Sequence, residues 1–290
     1  MNNEQMNLKK QAFKFYNLSQ DEMISKKVLE YARLRLVEYR DLFEDLIKIC
    51  GEEITFDDLL TVFDESAKDE LYKKEKKLSR INDNYYVSVY TVSVGNLAVE
   101  VSSTLEALKY FIEAIKSRNS VTISDLDYLE NDIKNCLLLI FKNALEKFGL
   151  DSNLIDVEPF EECYYENFDK IIVLDENRVV SNKEVSDSLF IYLEDNNLES
   201  AAYKDMLKFE VKGIKVHLLR GDIDEAIDRI NRKHYKAASI YTKNGEAAYK
   251  FINLTSADNV FVNASLEYAE NVDKCENDIY QKKRIIYPVR

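Results

Sequence analysis

Four cysteines, two histidines and one dense run of glutamates are the side chains in this sequence whose types could do chemistry. Cys50, Cys136, Cys163 and Cys275 form no C-x-x-C pair and no spacing that would close a metal site. Cys50 and Cys136 fall in apolar patterns of helical period, so both read as core residues. His217 falls inside a predicted strand, and His234 in a predicted loop beside Lys233 and Tyr235. Neither has a partner at ligand spacing, and both read as structural or surface side chains. Glu158, Glu161, Glu162 and Glu166 surround Cys163. They lack the ordered spacing and turn glycine of a calcium loop, so a solvated acidic loop is the plainer reading. Ser186 and Ser188 would be poor nucleophiles without a base. No G-x-G-x-x-G, P-loop or G-x-S-x-G occurs. Residue types and spacing therefore assign no catalytic, no cofactor-binding and no metal-binding residue.

The elements that must carry these side chains alternate between helix and strand. The first ~80 residues read as helical. Val28, Tyr31, Leu34, Leu36, Tyr39, Phe43, Leu46 and Ile49 fall near a 3.6 period, and Gly51 stops that pattern. Thr55 to Leu78 continues as a helical pattern with a solvated lysine face at Lys73, Lys74, Lys76 and Lys77. Strands are predicted at 85–90, 92–101, 120–123, 154–157, 168–174, 188–193, 214–219, 237–242 and 259–262. Helices are predicted around Leu105–Ile115, Ile133–Phe148, Ala201–Leu207, Ile223–Ile230 and Gly245–Leu254. Asp222 and Glu225 have the spacing of a capping box. Ala248, Phe251 and Ile252 are expected to face inward. This alternation predicts an α/β fold of parallel sheets with crossover helices behind a helical N-terminus.

Composition narrows the partners. The chain has 290 residues, 46% apolar and 32% charged, which is a globular balance. Its formal net charge of -13 repels phosphate backbones and anionic lipids, so neither nucleic acid nor membrane is an expected partner. The basic stretch Lys282-Lys283-Arg284 with Arg290 reads as a solvated tail or an anchoring strand. No run approaches the ~20 apolar residues of a membrane span, and Met1-Asn2-Asn3-Glu4-Gln5 is polar, so a cytoplasmic protein is expected. Abundant Lys, Asn, Ile and Tyr without Trp point to an AT-rich bacterial genome. Six glycines are few for a chain that would wrap backbone around a phosphate.

Three blocks carry a resemblance. Tyr90-Thr91-Val92-Ser93-Val94-Gly95 looks like the strand around a V-P-x-G turn. Lys116-Ser117-Arg118-Asn119 looks like K-S-G-N. Gly221-Asp222-Ile223-Asp224-Glu225-Ala226-Ile227, then Ala247-Ala248-Tyr249-Lys250-Phe251-Ile252 and Val260-Phe261-Val262-Asn263-Ala264-Ser265, look like D-L-D-E-A-I, an A-x-x-F helix and V-x-V-N-A-S. In this order the sequence resembles the aldehyde dehydrogenase superfamily, and within it the γ-glutamyl phosphate reductases (glutamate-5-semialdehyde dehydrogenases). The likeness covers about two thirds of the chain.

The resemblance implies an aldehyde-dehydrogenase-like fold with a reduced catalytic domain. Expected segments are 1–180, helical N-terminus plus cofactor-domain-like α/β; 181–264, reduced catalytic-domain-like α/β; and 265–290, an oligomerisation-type tail. It also implies NAD or NADP and a catalytic cysteine, and here the sequence departs from it. No glycine lies between Gly149 and Gly213, where the family's cofactor turn should follow the 168–174 strand; Asp175-Glu176-Asn177-Arg178 stands there. Arg118 replaces the K-S-G-N glycine, and Ser93 the V-P-x-G proline. No cysteine lies between Cys163, too early, and Cys275, too late. The expectation is thus a non-catalytic relative without cofactor, acting by binding or assembly. Its partner would be another copy or a related full-length enzyme, met through residues 278–290. The alternatives are an NAD(P)-dependent aldehyde or acyl-phosphate oxidoreductase with a relocated site, and a small-molecule sensor using a remnant cleft.

Overall fold

The computed structural model describes residues 3–19, 21, 23–68, 77–82, 85–125, 132–158, 168–173, 178–181, 185–186, 188–268 and 280–288. Two compact units emerge: 1–73 with 93–182, and 74–92 with 183–290. In this division 74–92 goes with the second unit, and so does the tail.

In the first unit, strands β3 (Asn96–Val101), β4 (Ser120–Asp125), β5 (Ile155–Val157) and β6 (Lys170–Val173) run parallel in the order β5-β4-β3-β6, and β7 (Arg178–Ser181) closes the edge antiparallel. Helix α5 (Thr104–Ser117) follows β3, and α6 (Asp132–Lys147) follows β4. Leu97, Ala98, Val99 and Val101 are all buried, as a strand covered on both faces requires. Helices α2 (Ile24–Glu38), α3 (Arg40–Cys50) and α4 (Phe56–Lys68) pack on α5 and α6, and α1 (Asn3–Leu18) packs on β3 and β4. Phe141 of α6 joins the layers, with its ring centroid 6.0 Å from Phe63 and 5.5 Å from Phe111. Gly51 takes φ 68 after α3, and the expected helix stop is there. The helical reading of Thr55–Leu78 is corrected: α4 ends at Lys68, and β1 (Lys77–Asn82) pairs antiparallel with β2 (Tyr85–Ser93). Lys73, Lys74 and Lys76 lie outside the described residues.

The second unit holds a seven-stranded sheet in the order β1-β2-β14-β13-β12-β9-β10. Strands β9 (Leu189–Leu193), β10 (Val216–Arg220), β12 (Ala237–Tyr241), β13 (Asn259–Val262) and β14 (Tyr280–Pro288) are parallel neighbours. Helices α7 (Glu199–Glu210), α8 (Ile223–Arg232) and α9 (Gly245–Leu254) make the crossovers. On α9 the inward face is Ala247, Phe251 and Leu254, one step round from the face expected. The short pair β8 (Val185–Ser186) and β11 (His234–Tyr235) puts His234 in a strand instead of the expected loop.

The tail also differs from expectation. Instead of reaching outward, β14 lies between β2 and β13 of its own chain, with Ile285 opposite Val260. Ile285 and Ile286 are buried, and so is Lys283. The Lys283 ammonium donates to the Ile252 carbonyl at 2.7 Å and the Thr255 carbonyl at 2.5 Å, capping the end of α9. Of the two readings of the basic stretch, the structure has the anchoring strand. Val289 and Arg290 lie outside the described residues.

Candidate functional site

Ligands of open α/β sheets bind outside the carboxyl ends of the strands, in the crevice where strand order reverses. In the first unit β3 leads to β4 and β5 on one side, while β6 lies on the other, so the crevice is at β3 and β6. In the second, β9 leads to β10 on one side, while β12 and β13 lie on the other, so it is at β9 and β12.

At the first crevice the start of α5 is filled by its own side chains. Ser103 Oγ accepts from Glu106 N at 3.3 Å. Glu106 turns back, and Oε2 accepts from Ser102 N at 3.1 Å and Ser102 Oγ at 3.3 Å. This is a capping box shifted by one residue, and the pattern Ser103-x-x-Glu106 was legible in the sequence but was not singled out. A dinucleotide pyrophosphate needs free N–H groups and a positive dipole end at such a place. Here it would meet a carboxylate. Asp175, Glu176 and Asn177, expected to replace the glycine turn, lie outside the described residues.

The second crevice is stitched across the strands. Glu194 N and Asp195 N donate to the Tyr241 carbonyl at 3.1 and 3.2 Å. Thr242 Oγ1 donates to the Glu194 carboxylate, and Asn244 Nδ2 to the same group at 3.4 Å. Lys243 pairs with Asp195 at 3.4 Å. Asn244 Oδ1 also caps α9, accepting from Glu246 N and Ala247 N at 3.0 and 3.3 Å. Asp222 caps α8 by accepting from Asp224 N at 3.0 Å. The expected return from Glu225 is replaced by its bond to Arg229 at 2.7 Å.

The blocks that carry the resemblance are absorbed into structure. Asn263 takes φ 51, its Oδ1 accepts from Thr242 N at 2.9 Å, and its Nδ2 donates to Thr242 O at 2.7 Å. Ser265 Oγ and Leu266 N donate to the buried Asp205 carboxylate at 2.5 and 3.0 Å, and Tyr241 OH does so at 3.3 Å. Burial first, and Asp205 second, push the Tyr241 hydroxyl well above its ordinary value. Lys116 donates to Ser66 O at 2.6 Å, at the end of α4. Asn119 Oδ1 accepts from Gly95 N at 2.9 Å. Arg118, at φ 55, takes the left-handed position that the family's glycine would hold freely. Its guanidinium donates to Ser19 O at 3.1 Å and Asp21 O at 2.9 Å, just past α1. Gly95 is required: a Cβ there would meet Asp169 Oδ2 at 1.9 Å.

Cys50 is exposed at the end of α3, which corrects the core reading. Cys136 is half-buried in α6, and burial raises its thiol pKa, so it stays protonated. Cys163, Cys275, Glu161, Glu162 and Glu166 lie outside the described residues. His217 packs its ring against Tyr235 at 6.1 Å, and burial, then Lys215 and Lys233, hold its pKa below the usual value. Among the described residues no group of three or more His, Cys, Asp or Glu is placed to hold a metal ion, and no helix is long and apolar enough to cross a membrane.

No family model matches this sequence, and no curated protein does. Solved structures do. A γ-glutamyl phosphate reductase from Thermotoga maritima superposes with a TM-score of 0.53 at 12% identity, covering 98% of this chain and 97% of that one. One from Saccharomyces cerevisiae gives 0.50 at 13%, covering 98% and 96%. The glyceraldehyde-3-phosphate dehydrogenase GapN of Methanocaldococcus jannaschii, complexed with NADP, gives 0.50 at 11%, covering 98% and 93%. The fold is that of the aldehyde dehydrogenases, as the three sequence blocks implied.

Proposed function

We propose that this chain is a non-catalytic relative of the γ-glutamyl phosphate reductases that acts by binding or assembly, with another copy or with a related full-length enzyme. What supports this reading most is that the described polar side chains at the two crevices are already bonded to one another: Ser102 and Ser103 with Glu106 at one, and Glu194 and Asp195 with Thr242, Lys243 and Asn244 at the other. A ligand would have to displace charge-assisted hydrogen bonds already made. Of the described cysteines, Cys50 is exposed at the end of α3, and Cys136 is half-buried in α6, where burial raises its thiol pKa and so disfavours the thiolate that thioester chemistry needs. Isothermal titration of the intact chain with NAD and with NADP tests the reading. No binding is expected at micromolar concentration, and no NAD(P)H should form when an aldehyde is added. A dissociation constant in the micromolar range for either cofactor overturns it.

A further inference from the structure

Helices α3 and α6 pack on each other in the first unit. The buried residues of α3 are Phe43 and Ile47, and a three-residue step from Ile47 carries that stripe on to Cys50. Cys50 is the last residue of the helix and is exposed. On α6 the buried stripe includes Ile133, Leu137 and Ile140, and Cys136 stands beside it, half-buried. Both are free thiols, one at the open rim of the packed helices and the other partly covered.

The two thiols also act on each other. Burial first, then Asp132 one turn earlier on α6, then Cys50 raise the pKa of Cys136. Such an effect falls off with distance, so these cysteines, far apart in sequence, are neighbours in the fold. Packed helix axes lie about 8–10 Å apart, and Cα atoms lie about 2.3 Å from each axis, so residues facing across such a seam meet the roughly 4.4–6.8 Å range that a disulfide spans.

We propose that Cys50 and Cys136 are a thiol pair that a low-molecular-weight disulfide, such as oxidised glutathione, converts to a Cys50–Cys136 disulfide, a reversible staple between α3 and α6. The exposed Cys50 reacts first. Its thiolate attacks one sulfur of the small disulfide, the sulfur–sulfur bond breaks, and one small thiolate leaves. Capped in this way, Cys50 can no longer carry a negative charge, so one of the causes that keep Cys136 protonated is removed. The Cys136 thiolate then attacks the Cys50 sulfur, and the second small thiolate leaves. In sum, two protein thiols and one small disulfide give one protein disulfide and two small thiols. The second step is intramolecular, which favours closing the pair over leaving Cys50 capped. Because the staple joins distant segments, it removes freedom that α3 would otherwise gain on opening.

Incubation of the intact chain with excess oxidised glutathione, a maleimide quench and non-reducing tryptic peptide mass spectrometry test the pair. Residues 49–68 and 135–142 are each released as one tryptic peptide holding a single cysteine. Their disulfide-linked product is expected to dominate in the wild type, and dithiothreitol should reverse it. Cys136→Ser should stop with glutathione on Cys50, whereas Cys50→Ser should leave Cys136 slower to react than Cys50 by about tenfold or more. Amide exchange of 40–50 should slow by about tenfold or more on oxidation of the wild type. A wild type that stops at capped Cys50, or that links either cysteine to Cys163 or Cys275 instead, overturns the proposal. So does exchange of 40–50 that oxidation leaves unchanged.

Discussion

In the first unit the bonds at the crevice join Ser102, Ser103 and Glu106, neighbours in one turn of chain. In the second they join Glu194 and Asp195 to Thr242, Lys243 and Asn244, and Asp205 to Ser265 and Leu266. Bonds made within one helix start form whenever the helix forms. Bonds made between strands exist only once the sheet is assembled, and their members are far apart in sequence. The second set should therefore break when its sheet is damaged, and the first should not.

Removing β14 is the strongest way to break that comparison. Truncation after Asn277 takes an interior strand, two buried isoleucines and the Lys283 cap from the second unit. A loss above ~5 kcal/mol is expected there, from large-to-small core losses of ~2–5 kcal/mol each. Hydrogen exchange should show protection of 189–262 collapsing while 96–125 stays protected. Protection of 189–262 that survives would mean the stitches do not depend on the sheet.

Point changes sharpen it. Asp205→Ala strands the Tyr241 and Ser265 hydroxyls and the Leu266 N–H, for a loss of about 3–5 kcal/mol in the second unit. Gly95→Ala places a methyl against Asp169 at φ 133, for a loss of about 2–3 kcal/mol in the first. Denaturant melts read by unit-specific exchange should show each loss in its own unit. Equal effects of either variant on both units would mean that they unfold as one body.

The smallest effect lies in α1. Lys9 is fully buried, donates to Thr122 Oγ1 at 2.6 Å and Val121 O at 3.3 Å, and has a pKa lowered to about 8, chiefly by burial against the pull of Asp156 and Glu158. Between pH 8 and its unfolded value of 10.5 only the unfolded state holds that proton, so docking of α1 strengthens as pH rises. Tyr16, also on α1, is pushed up to about 12 by burial. Between pH 10 and 12 only the folded state holds its proton, so docking weakens. Exchange protection of α1, corrected for intrinsic rates, should peak near pH 10, with a rise on the order of 2 kcal/mol. Lys9→Met should abolish the rise and keep the fall; a rise that persists in Lys9→Met would assign it to another group.

Much of the fold was legible because its signals are local. The buried runs of β9, β12 and β13, the period of α6 and α9, and the stops at Gly51 and Gly149 all lie within a few residues of what they determine. The candidate sites were less so. Ser103-x-x-Glu106 could have been read as a cap, but that it sits at a crevice follows only from β6 lying on the far side of β3. Nothing near Glu194 in the sequence announces Thr242.

By itself the sequence determined the parallel α/β grammar, the likeness to the aldehyde dehydrogenases and the absence of spacing for a metal or phosphate site, because each is set by residue type and period. Tertiary structure decided the fate of the tail and the use of Arg118 and Asn263 as clips. Lys77–Asn82 became a strand because a partner, β2, was there to pair with it, and Tyr280–Pro288 went into the sheet because its backbone groups and isoleucines are satisfied between β2 and β13. Strand pairing is a contact between distant segments, and no local pattern encodes which neighbour a strand will find.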